Sequence, residues 1–222
     1  MKKLFKGVLY IIIIVLGVVG MVRAANRPTA SSELSVNKNF DDILVLVNRE
    51  HSLGKNYEPS DLMKPDVRFF SNMTREEKLM RREAGEALEE LFKAAENDGI
   101  NLYALSGYRS YKTQKKTYEE RVERQGQQLA DSFVARPGYS EHNTGLSMDI
   151  TNKDFSTSFE TTAEGIWLKD NCYKFGFIIR YPKGKEDITG YSYEPWHIRY
   201  VGKVVAETIS TQNITLEEYL NK

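Results

Sequence analysis

Ser140-Glu141-His142-Asn143-Thr144-Gly145-Leu146-Ser147-Met148-Asp149 is the stretch that decides how this chain folds. His142 and Asp149 stand seven residues apart in it. On a helix that spacing would put both side chains on one face. Gly145, and the change towards strand formers at Ile150 and Thr151, argue against a helix. On an unbroken strand an odd spacing points the two side chains to opposite faces. The stretch therefore predicts a turn around Asn143 to Gly145 that leads into a strand carrying Asp149. Taken alone, a His-Asp pair more often marks a hydrogen-bonded structural contact than a metal site.

Glu194-Pro195-Trp196-His197 supplies what the first stretch lacks. Pro195 excludes a helix interior, so this segment is a turn entering a strand, which can bring Glu194 and His197 into one cleft. The chain has only three histidines, and these two segments hold two of them. Together they offer two imidazoles, one carboxylate ligand and a spare glutamate. That is the inventory of a catalytic zinc site, one Zn2+ per chain: three protein ligands, an open position for water and a base for that water's protons. His142, Asp149 and His197 are the candidate ligands. Glu194 is the candidate base, taking a proton from water and later delivering it to a leaving amine. Trp196 reads as core packing. Tyr191 and Tyr193 are either cleft wall or donors to the transition state.

Arg109 stands in a turn, Ser106-Gly107-Tyr108-Arg109-Ser110, at the mouth of a helix. Most arginines in such places are solvated. In a cleft the same fork of donors grips a substrate carboxylate or a developing oxyanion. Gln114, near the start of that helix, can share the face, and Ser140 can hydrogen-bond substrate. His51 lies in a polar stretch before Pro59 and reads as surface. Cys172, the only cysteine, reads as a buried, inert thiol. The chain has no glycine-rich phosphate loop and no nucleophile elbow.

Outward from these segments the elements are readable. The apolar run within Phe40 to Asn48 suits a buried strand or a short lead-in. Thr74-Arg75-Glu76-Glu77 is a capping box marking a helix start. Apolar residues at helical spacing follow until Asp98-Gly99 stops them. Ile100 to Ser106 alternates as a strand. Ser110 caps a helix from Tyr111 to Gln125, which Gly126 ends. Thr162 to Lys174 is a helix stopped by Gly176. Phe177 to Tyr181 and His197 to Val201 are strands, and Thr215-Leu216-Glu217-Glu218 caps a short last helix. Helices and strands do not alternate strictly, so the expected class is α+β.

The N-terminus carries Lys2, Lys3 and Lys6, then an uncharged stretch from Gly7 to Val22 closed by Arg23. The stretch is slightly shorter than a comfortable bilayer span. The lysines argue for a cytoplasmic end and an exported remainder. Residues 1–24 read as an uncleaved single-pass membrane anchor in preference to a cleaved signal segment, which would release the rest. No cysteine offers a lipid attachment there. Residues 25–38 read as a polar linker, and residues 39–222 as one globular domain. The 31 acidic and 31 basic residues balance, so no nucleic acid is implied, and no obligate protein partner is evident. A single cysteine cannot form an internal disulfide, which fits a bacterial surface better than a eukaryotic secretory route.

Jointly these residues resemble the VanY-type D-alanyl-D-alanine carboxypeptidases of the LAS metallopeptidases. The pattern is Ser140-Glu141-His142, Gly145, Asp149 and Glu194-Pro195-Trp196-His197, with Ser106-Gly107-Tyr108-Arg109-Ser110 and Gln114 upstream. Leu46-Val47-Asn48-Arg49 and Tyr57-Glu58-Pro59-Ser60-Asp61-Leu62 are similar to the family's lead-in, so the likeness covers roughly residues 43 to 202. Ser147 stands where the family usually has alanine. The resemblance implies a small antiparallel sheet with zinc on one face and helices around it. It implies removal of the C-terminal D-alanine from peptidoglycan stem peptides just outside the membrane. Carried over by position, His142, Asp149 and His197 bind zinc, Glu194 is the base, and Arg109, helped by Ser140 and Gln114, holds the substrate. The competing expectations are an L,D-carboxypeptidase, an endopeptidase of the same peptides, and a non-catalytic domain that binds wall peptides.

Overall fold

Aromatic and β-branched residues gather in four segments, and these pair into one antiparallel sheet. The computed structural model describes residues 42–221 together with the backbone of Ser35–Val36. The expected anchor over 1–24, and the linker over 25–38 apart from that pair, lie outside the described residues. Among the described residues no helix is long and apolar enough to cross a membrane. Residues 42–221 belong to one compact unit.

In chain order the elements are β1 (Ser35–Val36), β2 (His51–Ser52), β3 (Leu62–Met63), β4 (Met80–Arg81), α1 (Arg82–Asn97), β5 (Tyr103–Ser106), α2 (Tyr111–Gln125), α3 (Gln127–Phe133), β6 (Ser147–Thr151), α4 (Ala163–Asn171), β7 (Phe177–Tyr181), α5 (Glu186–Thr189), β8 (Glu194–Tyr200), α6 (Lys203–Gln212) and α7 (Leu216–Tyr219). The main sheet runs β5-β6-β8-β7. One face buries Ala104, Met148, Ile150 and Ile198 in the core that α1 fills with Ala84, Leu88, Leu91 and Ala95. Full burial of a leucine is worth about 1.5–3 kcal/mol, so this layer dominates the energetics. A smaller core of Leu46, Ile178, Val201, Ala206, Ile209 and Leu216 closes the other end.

Register and two irregularities place the site. Ser106 faces Asp149, and Asp149 faces His197, in one row across β5, β6 and β8. In β8 the pairing shifts between Ile179↔Ile198 and Tyr181↔Glu194. On a regular strand Glu194 and His197, three apart, would point to opposite faces. The bulge turns both into the cleft, and Pro195, which cannot donate to a ladder, sits within it.

Two expectations need correction. The Thr74 capping box forms: Glu77 N donates to Thr74 Oγ1 at 3.2 Å, and Thr74 N to Glu77 Oε2 at 2.9 Å. It caps only a single 3-10 turn, Glu76–Lys78. The carbonyls of Glu77 and Leu79 accept from Gly107 N and Tyr108 N, and Arg81 N donates to Gly145 O. Those tertiary bonds hold Leu79 to Arg81 extended, and α1 starts at Arg82. Of the two readings of Phe40 to Asn48, the structure has the short lead-in: from residue 42 on there is no regular strand, and Val45, Leu46 and Val47 are buried. The carbonyls of Ile43 and Val45 accept from Arg199 Nη2 instead of from a ladder, each at 2.8 Å. The second correction is that β8 begins at Glu194 and not at His197.

Candidate metal centre and cleft

Asp149 and His197 are cross-strand neighbours, so β6 and β8 set them side by side. His142 arrives differently. Glu141–Thr144 makes a 3-10 turn, and Gly145 leaves it in the left-handed region at φ 69°, where glycine carries no steric penalty. The turn is pinned from outside. Arg109 N donates to His142 O at 3.1 Å, and Asn143 Nδ2 to Arg109 O at 2.6 Å. Asn143 Oδ1 is the one buried side-chain oxygen or nitrogen among the described residues without a partner.

The ring nitrogens sort themselves. His142 Nδ1 lies 2.8 Å from Gly107 O, and a carbonyl only accepts, so Nδ1 carries the proton. That leaves Nε2 facing the cleft, 3.5 Å from Asp149 Oδ2. His197 uses the opposite nitrogen: Nδ1 is 2.9 Å from Asp149 Oδ1, while Nε2 faces Glu141 Oε2 at 3.4 Å. One ligand atom each from His142, Asp149 and His197 falls within 4.8 Å of the others. Two imidazole nitrogens and a carboxylate suit a catalytic zinc, which leaves a coordination position to exchange.

Electrostatics support the same assignment. Burial, reinforced by the Arg109 charge, lowers His142 to about 3, so it is a neutral ligand. Burial works against charge on Asp149, but His142, His197 and Arg109 bring it down to about 2. Burial would also lower His197, but the hydrogen bonds to Asp149 and Glu141 outweigh it and raise it to about 9. Glu194, 4.0 Å from His197 Nδ1, is pushed up by burial to about 7, with His197 opposing. A carboxylate poised near neutrality can both take and return a proton.

Arg109 reaches the cleft with its guanidinium held on two sides. Its Nε donates to Ser106 Oγ at 3.2 Å and its Nη1 to Gln114 Oε1 at 2.9 Å. Its Nη2 stands 3.8 Å from Asp149 Oδ2. Gln114 is itself buried, its Nε2 donating to Ala135 O at 2.7 Å. Arg109, Gln114, Glu194 and the three candidate ligands line one cleft of about 480 Å³, with Ser140, Tyr191 and Trp196. Tyr191 is a wall residue, stacked at 4.7 Å on Tyr181 and under Arg49 at 4.7 Å. Trp196 lines the cleft and packs on the core. Tyr193 is half-buried and is not among the lining residues; burial, with a smaller push from the Glu160 charge, raises its hydroxyl. His51 is half-buried, its Nδ1 beside Asn48 Oδ1 at 3.0 Å, apart from the cleft. Cys172 is buried, and burial raises its thiol to about 12.

Two functional neighbours were missed in the sequence. Tyr181 lies against the His197 ring, centroids 5.1 Å apart. Glu141 is fully buried. Arg180 Nε and Arg199 Nη1 donate to its Oε1 at 2.6 and 2.7 Å, while its Oε2 accepts from Ser147 Oγ at 3.2 Å. Burial alone would raise Glu141, but the two arginines hold it well below the carboxylate range. The available signal was an arginine inside each of two apolar strands, Phe177 to Tyr181 and His197 to Val201, which demands a buried anion.

Comparison with known proteins agrees with this geometry. The family model for VanY, D-alanyl-D-alanine carboxypeptidase, matches residues 77–203, more than half of the chain. A putative carboxypeptidase, YodJ, of Bacillus subtilis (strain 168) is 49% identical over 193 residues, covering 85% of this chain and 71% of the relative. The solved LdcB LD-carboxypeptidase is 49% identical, with a TM-score of 0.81 over 86% of this chain and 91% of its own. A mutant vancomycin-resistance D,D-pentapeptidase VanY, from a VanB-type cassette and solved in complex with Zn(II), is 37% identical. Its TM-score is 0.66 over 80% of this chain and 98% of its own. The matched span holds His142, Asp149, Glu194 and His197 together, and on that ground the chain belongs to the VanY family of D-alanyl-D-alanine carboxypeptidases.

Proposed function

We propose that this chain is a zinc-dependent carboxypeptidase that removes the C-terminal D-alanine from peptidoglycan stem peptides. The observation that carries the reading is the meeting of His142, Asp149 and His197 with Glu194 and Arg109 in a single cleft. Zinc, when bound by the three ligands, supplies Lewis-acid polarisation of the scissile carbonyl and acidifies a water molecule. Glu194 takes that water's proton as the new C–O bond forms. It gives the proton to the departing amine as the C–N bond breaks, so the carboxylate ends as it began. Proton transfer of this kind is worth ~10²–10⁴-fold in rate. Arg109, braced by Ser106 and Gln114, presents its remaining donors to the terminal carboxylate or the developing oxyanion. Ser140 and Tyr191 shape the same wall. The charged N-terminus and the uncharged run behind it support a place at the outer face of a bacterial membrane, next to the substrate.

A second reading has its own support. The LdcB structure, 49% identical, is described as an LD-carboxypeptidase, which favours removal of D-alanine from a tetrapeptide. Incubation with defined penta- and tetrapeptides, with and without a chelator, separates the two by product mass. Chelator-sensitive loss of one alanine from the pentapeptide supports D,D-cleavage. Loss from the tetrapeptide alone replaces it with L,D-cleavage. No loss from either, with zinc bound, overturns both.

A further inference from the structure

The cleft does not end at the metal ligands. It continues between α2 and α3, where Thr117, Arg121 and Gln125 form one wall and Leu129 and Phe133 the other. Leu129 and Phe133 are exposed by 45% and 54%, an unusual amount for large apolar side chains on one groove. Arg121 is the charged group of this outer arm. Its Nη1 donates to the neutral Gln125 Oε1 at 3.1 Å. No carboxylate pairs with it among the described residues: Glu120, next to it, pairs with Lys116 and Arg124. A half-buried guanidinium in a groove, opposite an apolar wall and without an anion, is complementary to a peptide that carries a free carboxylate.

Spacing says which one. Gln114, which braces Arg109, and Arg121 are seven residues apart on α2, about 10 Å along the axis. An extended peptide covers that distance in about three residues. With its last residue at Arg109, a pentapeptide stem then sets its second residue beside Arg121. In such stems that residue is a D-glutamate linked through its γ-carboxyl, which leaves the α-carboxylate free.

Resting on the D,D-carboxypeptidase reading above, in which a pentapeptide is the substrate, we propose that Arg121 is a specificity residue that binds the free α-carboxylate of the second stem residue. Leu129 and Phe133 cover the peptide across the groove. An amidated stem, with an amide at that position, loses the contact.

The test measures binding, so that it stands apart from turnover. Zinc-loaded Glu194→Gln protein is titrated calorimetrically with two pentapeptides that differ only in a carboxylate or an amide at residue two. The expected result is about tenfold tighter binding of the acid, as for a charge-assisted pair, and equal affinities once Arg121→Gln is added. Equal binding of both peptides by the protein with Arg121 overturns the proposal, and so does a preference that survives Arg121→Gln. A third peptide carries diaminopimelate in place of lysine at residue three. An Arg121-dependent gain from that carboxylate, in place of the one at residue two, also overturns it. Cleavage of the same peptides by the unaltered enzyme tests the carboxypeptidase reading separately.

Discussion

Glu141 holds His197 by the nitrogen that turns away from Asp149. Its Oε2 lies 3.4 Å from Nε2, which keeps Nδ1 directed at the cleft. Partners of this kind fix the tautomer and ring orientation of a ligating histidine, and their loss typically costs 10–100-fold in metal affinity. We expect Glu141→Gln to lower zinc affinity by about that factor, measured by competition with a chromophoric chelator. Unchanged affinity would mean the ring is held well enough by Asp149 and by packing on Tyr181. Glu194→Gln should behave in the opposite way: zinc retained, with turnover reduced by ~10²–10⁴. Measured zinc content beside kcat distinguishes the two residues. Their legibility differed for a physical reason. Glu194, His142, Asp149 and His197 are legible because metal chemistry restricts residue type and spacing. Glu141 acts through a neighbour, and a glutamate beside a histidine has no pattern until Arg180 and Arg199 are seen to need an anion.

At the scale of elements, local signals were reliable wherever the neighbouring chain did not compete for the same backbone groups. Ser110 caps α2 by accepting from Thr113 N at 3.2 Å, and Gly126 ends that helix at φ 79°. Thr162 caps α4 by accepting from Gly165 N at 3.1 Å, and Thr215 closes a full capping box on α7. The Thr74 box formed just as well, yet its helix did not follow, because Gly107, Tyr108 and Gly145 claimed the next backbone groups. The bulge in β8 was equally out of reach: Pro195 forbids a helix but does not say which face Glu194 takes. Gly107 shows how tightly these loops are joined. A Cβ there would lie 2.5 Å from Leu79 O and 2.8 Å from Met148 Cε. Its carbonyl also anchors His142 Nδ1. Gly107→Ala must therefore displace the loop that fixes a metal ligand. The expected outcome is a loss of about 1–3 kcal/mol in unfolding free energy, as for overpacking, together with weaker zinc binding. A stability loss with zinc affinity intact would separate the two roles of this residue.

Across the whole molecule, a buried charge cluster ties the C-terminus to the metal centre. Arg180 bridges Glu141 on one side and Glu217 of α7 on the other, Nη1 and Nη2 meeting the Glu217 carboxylate at 2.9 and 2.6 Å. Asn48 Nδ2 donates to the same carboxylate at 3.2 Å. Two arginines and two glutamates balance in charge, so the cluster is tolerable when complete and costly when broken. His197 sits at its edge, and this gives the metal-free and zinc-loaded proteins opposite responses to pH. His197 is raised to about 9 by Asp149 and Glu141. A raised folded-state value contributes stability that is full below the unfolded value, near 6.5, and is lost as pH rises through the folded one. The metal-free protein should therefore lose thermal stability between pH 6.5 and 9. Zinc needs the unprotonated Nδ1, so its binding displaces that proton. Zinc affinity should rise over the same interval, by about tenfold per pH unit for one proton released, and level off above about 9. Melting curves of the chelated protein, set beside zinc affinities over the same pH series, check both halves. A melting temperature that climbs with pH in the metal-free protein, or a zinc affinity that stays flat, would show that His197 is already neutral before the metal arrives.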